Sequence, residues 1–383
     1  EKLGSGDKID ILAQVSHFEV KGRPAYASSQ PGDKFSSGGI LLEGAKQTDP
    51  YAALAMPPSQ NSTGTRRYHI IKDSSGQLIS SLEIGRPFEA DAGSEKTLRD
   101  FLLWGRLYSP AKHYMLIIFN HGAGYPGISY DYGKKTHITP DGVARALSAI
   151  GGADVLILGG CFMQMAEVAQ RLRGAADYLV GSEEVGWGMF YGDLTDNFKA
   201  ASPKKLALLA AANAHKNQPA DILSSKVLTQ SSVLDLKRSA DLTPLLDAWT
   251  QAMMQAKELQ AARFARDHAQ RFSTDLGEKY KFYRSYCDLH DYVRLATEQA
   301  SSEAVKAAGA ALMQYIDEEL VLKTHSRGYA QEPHGLSIYM PEDKIAKDYP
   351  ALGLPNTLKW LQFLEWVGPK AEFLTLEQAK RQP

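Results

Sequence analysis

Two side chains able to take part in breaking an amide bond stand at the ends of two apolar runs. Met115–Phe119 is followed by Asn120 and His121, and the run 155–158 is followed by Gly159, Gly160 and Cys161. A thiol with an imidazole in reach is the minimum set for nucleophilic attack on a carbonyl carbon. Gly122 follows the histidine and the Gly159-Gly160 pair precedes the cysteine. Lacking Cβ atoms, these positions let backbone N–H groups close in on a carbonyl oxygen. A helix expected directly after Cys161 would turn its positive end toward the thiol and favour the thiolate. Taken singly, Cys161 reads as a small buried hydrophobe and His121 as a satisfied loop histidine. Both at strand ends, each flanked by glycine, favours chemistry.

Other patterns carry less. Gly122-Ala123-Gly124-Tyr125-Pro126-Gly127 fits a dinucleotide fingerprint, but that motif must open a helix, and here Pro126 and the polar run 129–135 follow. A nucleotide-dependent oxidoreductase therefore ranks last among the readings. Asp267-His268 and His290-Asp291 fall on helix-like segments and read as solvated or core polar contacts rather than metal ligands. Lys134-Lys135 is a basic pair in a polar loop, a pattern that also suits proteolytic nicking. Cys287 precedes Leu289, Tyr292 and Val293 at a helix start and reads as structural.

The reactive residues need a frame, and the surrounding pattern predicts one. Short apolar strands at 113–119, 154–158 and 178–180 alternate with helices starting at Ser94, at Thr139-Pro140 and near 163–172. Strand, helix, strand at this spacing argues an α/β fold with a parallel sheet and helices on both faces. If the helix near 139–149 is the crossover, the two strands are neighbours, and ligands of such sheets sit at the carboxyl ends of strands. Residues 9–20 read as a first core strand, 21–65 as a Gly-, Pro- and Ser-rich insertion, and 67–72 with 78–84 as a hairpin about 73–76. Beyond residue 204 the chain reads as mainly helical, over 204–215, 242–272 and 302–319, with short strands at 232–236 and 335–340.

The 383 residues correspond to about 2.5 ordinary domains. With 44% hydrophobic and 23% charged residues the chain can pack a core, which excludes a disordered chain. Lys and Arg number 43 against 44 Asp and Glu, so no basic field exists to gather nucleic acid. No apolar run approaches the ~20 residues of a membrane helix. The two cysteines are expected as free thiols. The first residue is Glu1 rather than Met, which is read as trimming, either artificial or by a signal peptidase, and the expectation is export.

The chain resembles the clostripain-like cysteine peptidases, relatives of caspases, legumains and gingipains. The resemblance runs through 8–13, Thr65-Arg66-Arg67-Tyr68, 98–105, Asn120-His121-Gly122-Ala123-Gly124, 161–169, 176–184, 232–236 and 335–341. It implies a caspase-like sandwich with a mostly parallel central sheet flanked by helices and a largely helical C-terminal half. The catalytic core would span 1–200, and 201–383 would complete the same fold. It further implies a Cys161 nucleophile, a His121 acid and an oxyanion hole from the backbone N–H groups of Gly122 and Cys161. Gly159, Ser182, Glu183, Glu184 and Trp187 would line the substrate cleft, and Lys134-Lys135 would be the candidate processing site. Expected partners are peptide or protein substrates, for an exported bacterial hydrolase. No redox cofactor is implied. Some relatives respond to calcium, for which the sequence shows no ligand motif, and it carries no signal for an oligomeric state.

Two positions depart from the family pattern. Asn120 stands where the family usually has Asp, and keeps its hydrogen-bonding shape. Gly159 stands where the family usually places the Asp that pairs with a basic substrate side chain. The expectation is therefore a neutral or small side chain at the scissile residue, with Trp187 adding apolar surface. Glu183, Glu184, Asp193 and Asp196 are the acids nearest in sequence that could replace the missing charge. From a different functional class, the alternative is a catalytically silent caspase-like module that binds peptides or partners.

Overall fold

The computed structural model describes residues 5–6, 9–17, 35–36, 39–40, 64–72, 81–186, 201–216, 228–272 and 278–369. Most of the 21–65 insertion and the expected turn at 73–76 lie outside the described residues, as do Trp187, Asp193 and Asp196. The first strand, β1 (Leu12–His17), does not join the main core. It pairs antiparallel with β2 (Gly64–His69), which pairs in turn with β3 (Leu82–Glu83), in a separate three-stranded sheet. Val15 and Leu82 on this sheet are exposed, and alternation alone could not tell such a half-wet strand from a core one.

Helix α1 (Glu95–Tyr108) starts where Ser94 accepts the Lys96 N–H, and it runs one turn past the expected stop at Gly105. Strand β4 (Met115–Phe119) follows, then a hairpin of β5 (Ile128–Asp131) and β6 (Thr136–Ile138). The Gly122–Gly127 segment thus opens a strand, not a helix, and the dinucleotide reading falls. Helix α2 (Pro140–Ser148) is capped by the Thr139 hydroxyl, with Pro140 in its first turn, where a missing N–H costs nothing. It crosses over to β7 (Ala153–Gly159), which lies parallel to β4. After α3 (Ala166–Arg171), β8 (Ala176–Gly181) pairs parallel on the other side of β7.

Helix α4 (Pro203–Lys216) covers one sheet face, where Ala207, Ala210 and Ala211 meet Val155, Ile157, Val180 and Val233. Strand β9 (Thr229–Asp235) is antiparallel to β8. The expected long helix over 242–272 is two helices, α5 (Leu242–Gln255) and α6 (Leu259–His268), separated where Lys257 takes a left-handed φ of 59°. Strand β10 (Tyr286–Asp288) leads into α7 (Leu289–Gln299), and α8 (Glu303–Tyr315) ends in a π turn that feeds β11 (Val321–Arg327). The sequence reading had no strand at β11, which pairs antiparallel with β9 at the sheet edge. Strand β12 (Ser337–Tyr339) pairs with β10 in a small sheet of its own rather than with the central one.

The central sheet therefore has the order β11-β9-β8-β7-β4. Only β9 runs against the rest, so the expected mostly parallel sheet holds in strand direction. Leu156 and Leu158 face a second, larger core with Val168, Trp249, Tyr292 and α9 (Lys359–Val367). Apolar side chains on both faces of β7 explain its uninterrupted hydrophobic run.

Candidate active site

Phe119 of β4 and Gly159 of β7 are register partners. His121 and Cys161 each follow two residues later, so the imidazole and thiol leave adjacent strand ends on one rim of the sheet. The chain turns around them are close enough to need glycine. A Cβ on Gly122 would lie 2.6 Å from the Cys161 carbonyl oxygen, and one on Gly160 would lie 2.9 Å from the Gly122 nitrogen. Both are distances that real side chains do not tolerate.

Asn120 holds the histidine turn. Its Oδ1 accepts the His121 N–H at 2.6 Å and the Tyr130 N–H at 3.0 Å, fastening β4 to the following hairpin. Only the acceptor oxygen is used, a role that Asn and Asp share. The His121 ring is half-buried, and Tyr132 packs edge-on against it. Burial pulls the imidazole below its usual range, toward the neutral form.

Cys161 is a free, half-buried thiol. Burial pushes it up to about 11, and the Glu184 charge adds to this. The N–H groups of Gly186, Gly122 and Cys161 itself donate toward the sulfur and oppose the shift. Helix α3 begins only at Ala166, five residues on, so the expected helix-dipole support is not at the thiol. Phe162 instead follows in a left-handed φ of 61°, buried and stacked on Tyr283 at 4.4 Å. The turn is clamped by hydrogen bonds from Phe162 N to Glu184 O (3.1 Å) and from Gln164 N to Ser182 O (3.0 Å). Gly186 then lies over Gly160, where a Cβ would stand 3.3 Å from the Gly160 oxygen.

The expected cleft acids turn inward. Ser182, Glu183 and Glu184 are all buried. Ser182 Oγ accepts the Glu184 N–H. Glu183 Oε2 accepts the Gly335 N–H at 2.8 Å, and burial together with the nearby Asp288 raises this carboxyl well above its ordinary range. Glu184 accepts from the Val185 N–H and from the Tyr329 hydroxyl. Lys134 and Lys135 are exposed at the tip of the β5–β6 hairpin. Cys287 is fully buried in β10, its thiol pushed up by burial to about 12. Asp291 accepts from Gln270, Arg294 and Gln331, a core polar contact as expected. Among the described residues no three His, Cys, Asp or Glu side chains converge as a candidate metal cluster.

The sequence reading missed Asn120 as the fastening acceptor, Tyr132 on the imidazole and Gly186 over the thiol. The last had a signal, a glycine directly before Trp187 in the segment already assigned to the cleft.

The sequence model of the Clostripain family matches residues 66–366. The chain belongs to the Clostripain family. Solved C11 proteases, as that family is also designated, share the fold. A secreted C11 cysteine protease from Bacteroides thetaiotaomicron, in complex with an irreversible peptide inhibitor, superposes with a TM-score of 0.53 at 15% identity, covering 79% of this chain and 86% of that one. An inactive zymogen C11 protease from Parabacteroides distasonis gives 0.54 at 18% identity, covering 80% and 84%. Among curated proteins none matches the sequence. Clostripain-family membership makes the chain a cysteine peptidase, and among the described residues no helix is long and apolar enough to cross a membrane.

Proposed function

We propose that the chain is an endopeptidase working through a Cys161–His121 dyad. The observation that supports this best is the register of β4 and β7, which sets both side chains two residues beyond one paired position. His121 takes the proton from Cys161 Sγ as the thiolate attacks the scissile carbonyl carbon. The oxyanion receives the N–H groups of Gly122 and Cys161, which point at the sulfur in the resting protein. Collapse of the tetrahedral adduct breaks the C–N bond, and His121 hands its proton to the departing amine. Water, deprotonated by His121, then attacks the thioester, releasing the acid and regenerating the thiol. Apart from the water, these groups come from the chain itself.

The resting thiol and imidazole are both held neutral, which fits a peptidase ionised only when a substrate carbonyl approaches. A silent peptide-binding module would look alike at rest. Export is part of the proposal, by likeness to the Bacteroides relative described as secreted. The test is a thiol-reactive peptide probe followed by mass spectrometry. Labelling of Cys161 that disappears on heat denaturation supports the enzyme, and labelling that persists in the denatured chain and hits Cys287 equally would leave the binding module.

A further inference from the structure

Gly159 lets an aromatic ring come close to the strand end that carries Cys161. A Cβ built at 159 would stand 3.1 Å from Phe119 Cδ2 and 3.3 Å from the Ile118 oxygen. Phe119 is 46% exposed, and Ile117 on the same strand face is 38% exposed. Exposed apolar residues are ordinary on a protein surface, so exposure alone argues nothing. Position does. The ring is register-paired with Gly159, two residues before His121, on the strand end next to the one that carries Cys161. The nearby described acids, Glu183 and Glu184, are buried and accept from Gly335, Val185 and Tyr329. A guanidinium entering here would lose water, and the described carboxyls nearby already accept from other donors.

We infer that Phe119, whose ring lies against the position a side chain at 159 would take, walls the subsite for the scissile residue and selects peptides with a long apolar or aromatic side chain there. The inference rests on the endopeptidase reading and names its substrate class. A leucine, methionine or phenylalanine side chain would lie along the ring and shed water with it, whereas alanine would leave the ring wet.

The test is the rate at which Cys161 is alkylated by peptidyl chloromethyl ketones that differ only in the scissile-position residue: Phe, Leu, Ala or Arg. The thiolate displaces chloride and forms a C–S bond, so intact mass reads the rate without turnover. In the unaltered protein the Phe and Leu probes should react about tenfold faster than Ala, with Arg slowest. In Phe119→Ala the Phe-to-Ala rate ratio should fall to near one. Phe119→Glu should raise the Arg-to-Phe ratio about tenfold or more, a gain that misfolding cannot produce. Rates independent of the scissile residue, an Arg probe fastest in the unaltered protein, or ratios unmoved in both variants would overturn the inference and leave the peptidase standing. If no probe labels Cys161 while iodoacetamide does, the peptidase reading fails and this inference with it.

Discussion

Tyr132 stands edge-on to His121, with ring centroids 5.7 Å apart and 73° between the planes. The tyrosine belongs to the tip of the β5–β6 hairpin, the same tip that carries Lys134 and Lys135. Asp131 Oδ1 accepts the Lys134 N–H at 3.0 Å, and Lys135 sits at a left-handed φ of 58°. A protease needs an extended segment, and this one is a tight turn whose lysines the apolar subsite proposed at Phe119 would disfavour. Wild type and Cys161→Ala should therefore both give one unbroken species by intact mass. A wild-type sample split after Lys134 or Lys135, with an intact Cys161→Ala sample, would show self-processing there.

Cys161→Ala should remove peptide hydrolysis while leaving the melting temperature close to wild type, since a methyl replaces a small half-buried thiol. Cys287 cannot stand in, being fully buried with its thiol pushed up to about 12. Residual turnover above about one per cent, a barrier difference of less than about 2.7 kcal/mol, would move the nucleophile elsewhere.

His121→Ala should inactivate as well, through loss of the group that takes the thiol proton and returns it to the amine. His137 is the useful control. It is exposed, stacks on Tyr130 at 4.8 Å and lies on the neighbouring hairpin. His137→Ala should keep activity within about threefold of wild type, an effect below about 0.7 kcal/mol. Equal inactivation in peptide assays would dissolve the dyad.

Alkylation of the resting protein by iodoacetamide should report the raised thiol. With Cys161 at about 11, the reactive thiolate is scarce at neutral pH and grows about tenfold per pH unit. The logarithm of the rate at Cys161 should rise with unit slope from pH 7 to pH 10. A plateau reached below pH 8 would mean a thiolate already formed at rest.

Glu183 offers a stability test. The unfolded chain ionises this carboxyl near its ordinary 4.5, whereas the folded chain holds the proton to higher pH. Between those points the folded state binds the extra proton, so stability falls as pH rises above about 4.5. Glu183→Gln keeps an acceptor for the Gly335 N–H and has no charge to bury. Its melting temperature should exceed wild type by about 2 °C at pH 8 and converge on it toward pH 5. A variant less stable at every pH would mean that the ionised carboxylate is what the fold requires.

The meeting of His121 and Cys161 on one rim of the sheet was legible because β4 and β7 are apolar on both faces and end in His and Cys at equal distance. Parallel pairing then makes equal distance in sequence equal height in the sheet. Edge strand β11 was not legible. Its sequence, Val321-Leu322-Lys323-Thr324-His325-Ser326-Arg327, has one dry neighbour and one wet side, so no continuous apolar run marks it, and it follows the helical pattern of α8 without a breaker. The acids at 183 and 184 look from sequence like cleft charges. Which way they face depends on Gly335 and Tyr329, and no local periodicity encodes a partner about 150 positions away.

The turn that follows Cys161 is closed by β12. Ser337 donates its N–H to the Gln164 oxygen at 3.0 Å, across 173 positions of sequence, and Tyr339 donates to the buried Glu167 carboxylate. A chain emerging from a ribosome therefore has its histidine and cysteine long before the strand that fixes the turn between them and α3. At about 5–20 residues per second, that interval is on the order of 10–30 s. Throughout it Cys161 has no fixed seat, and synthesis of β12 supplies one.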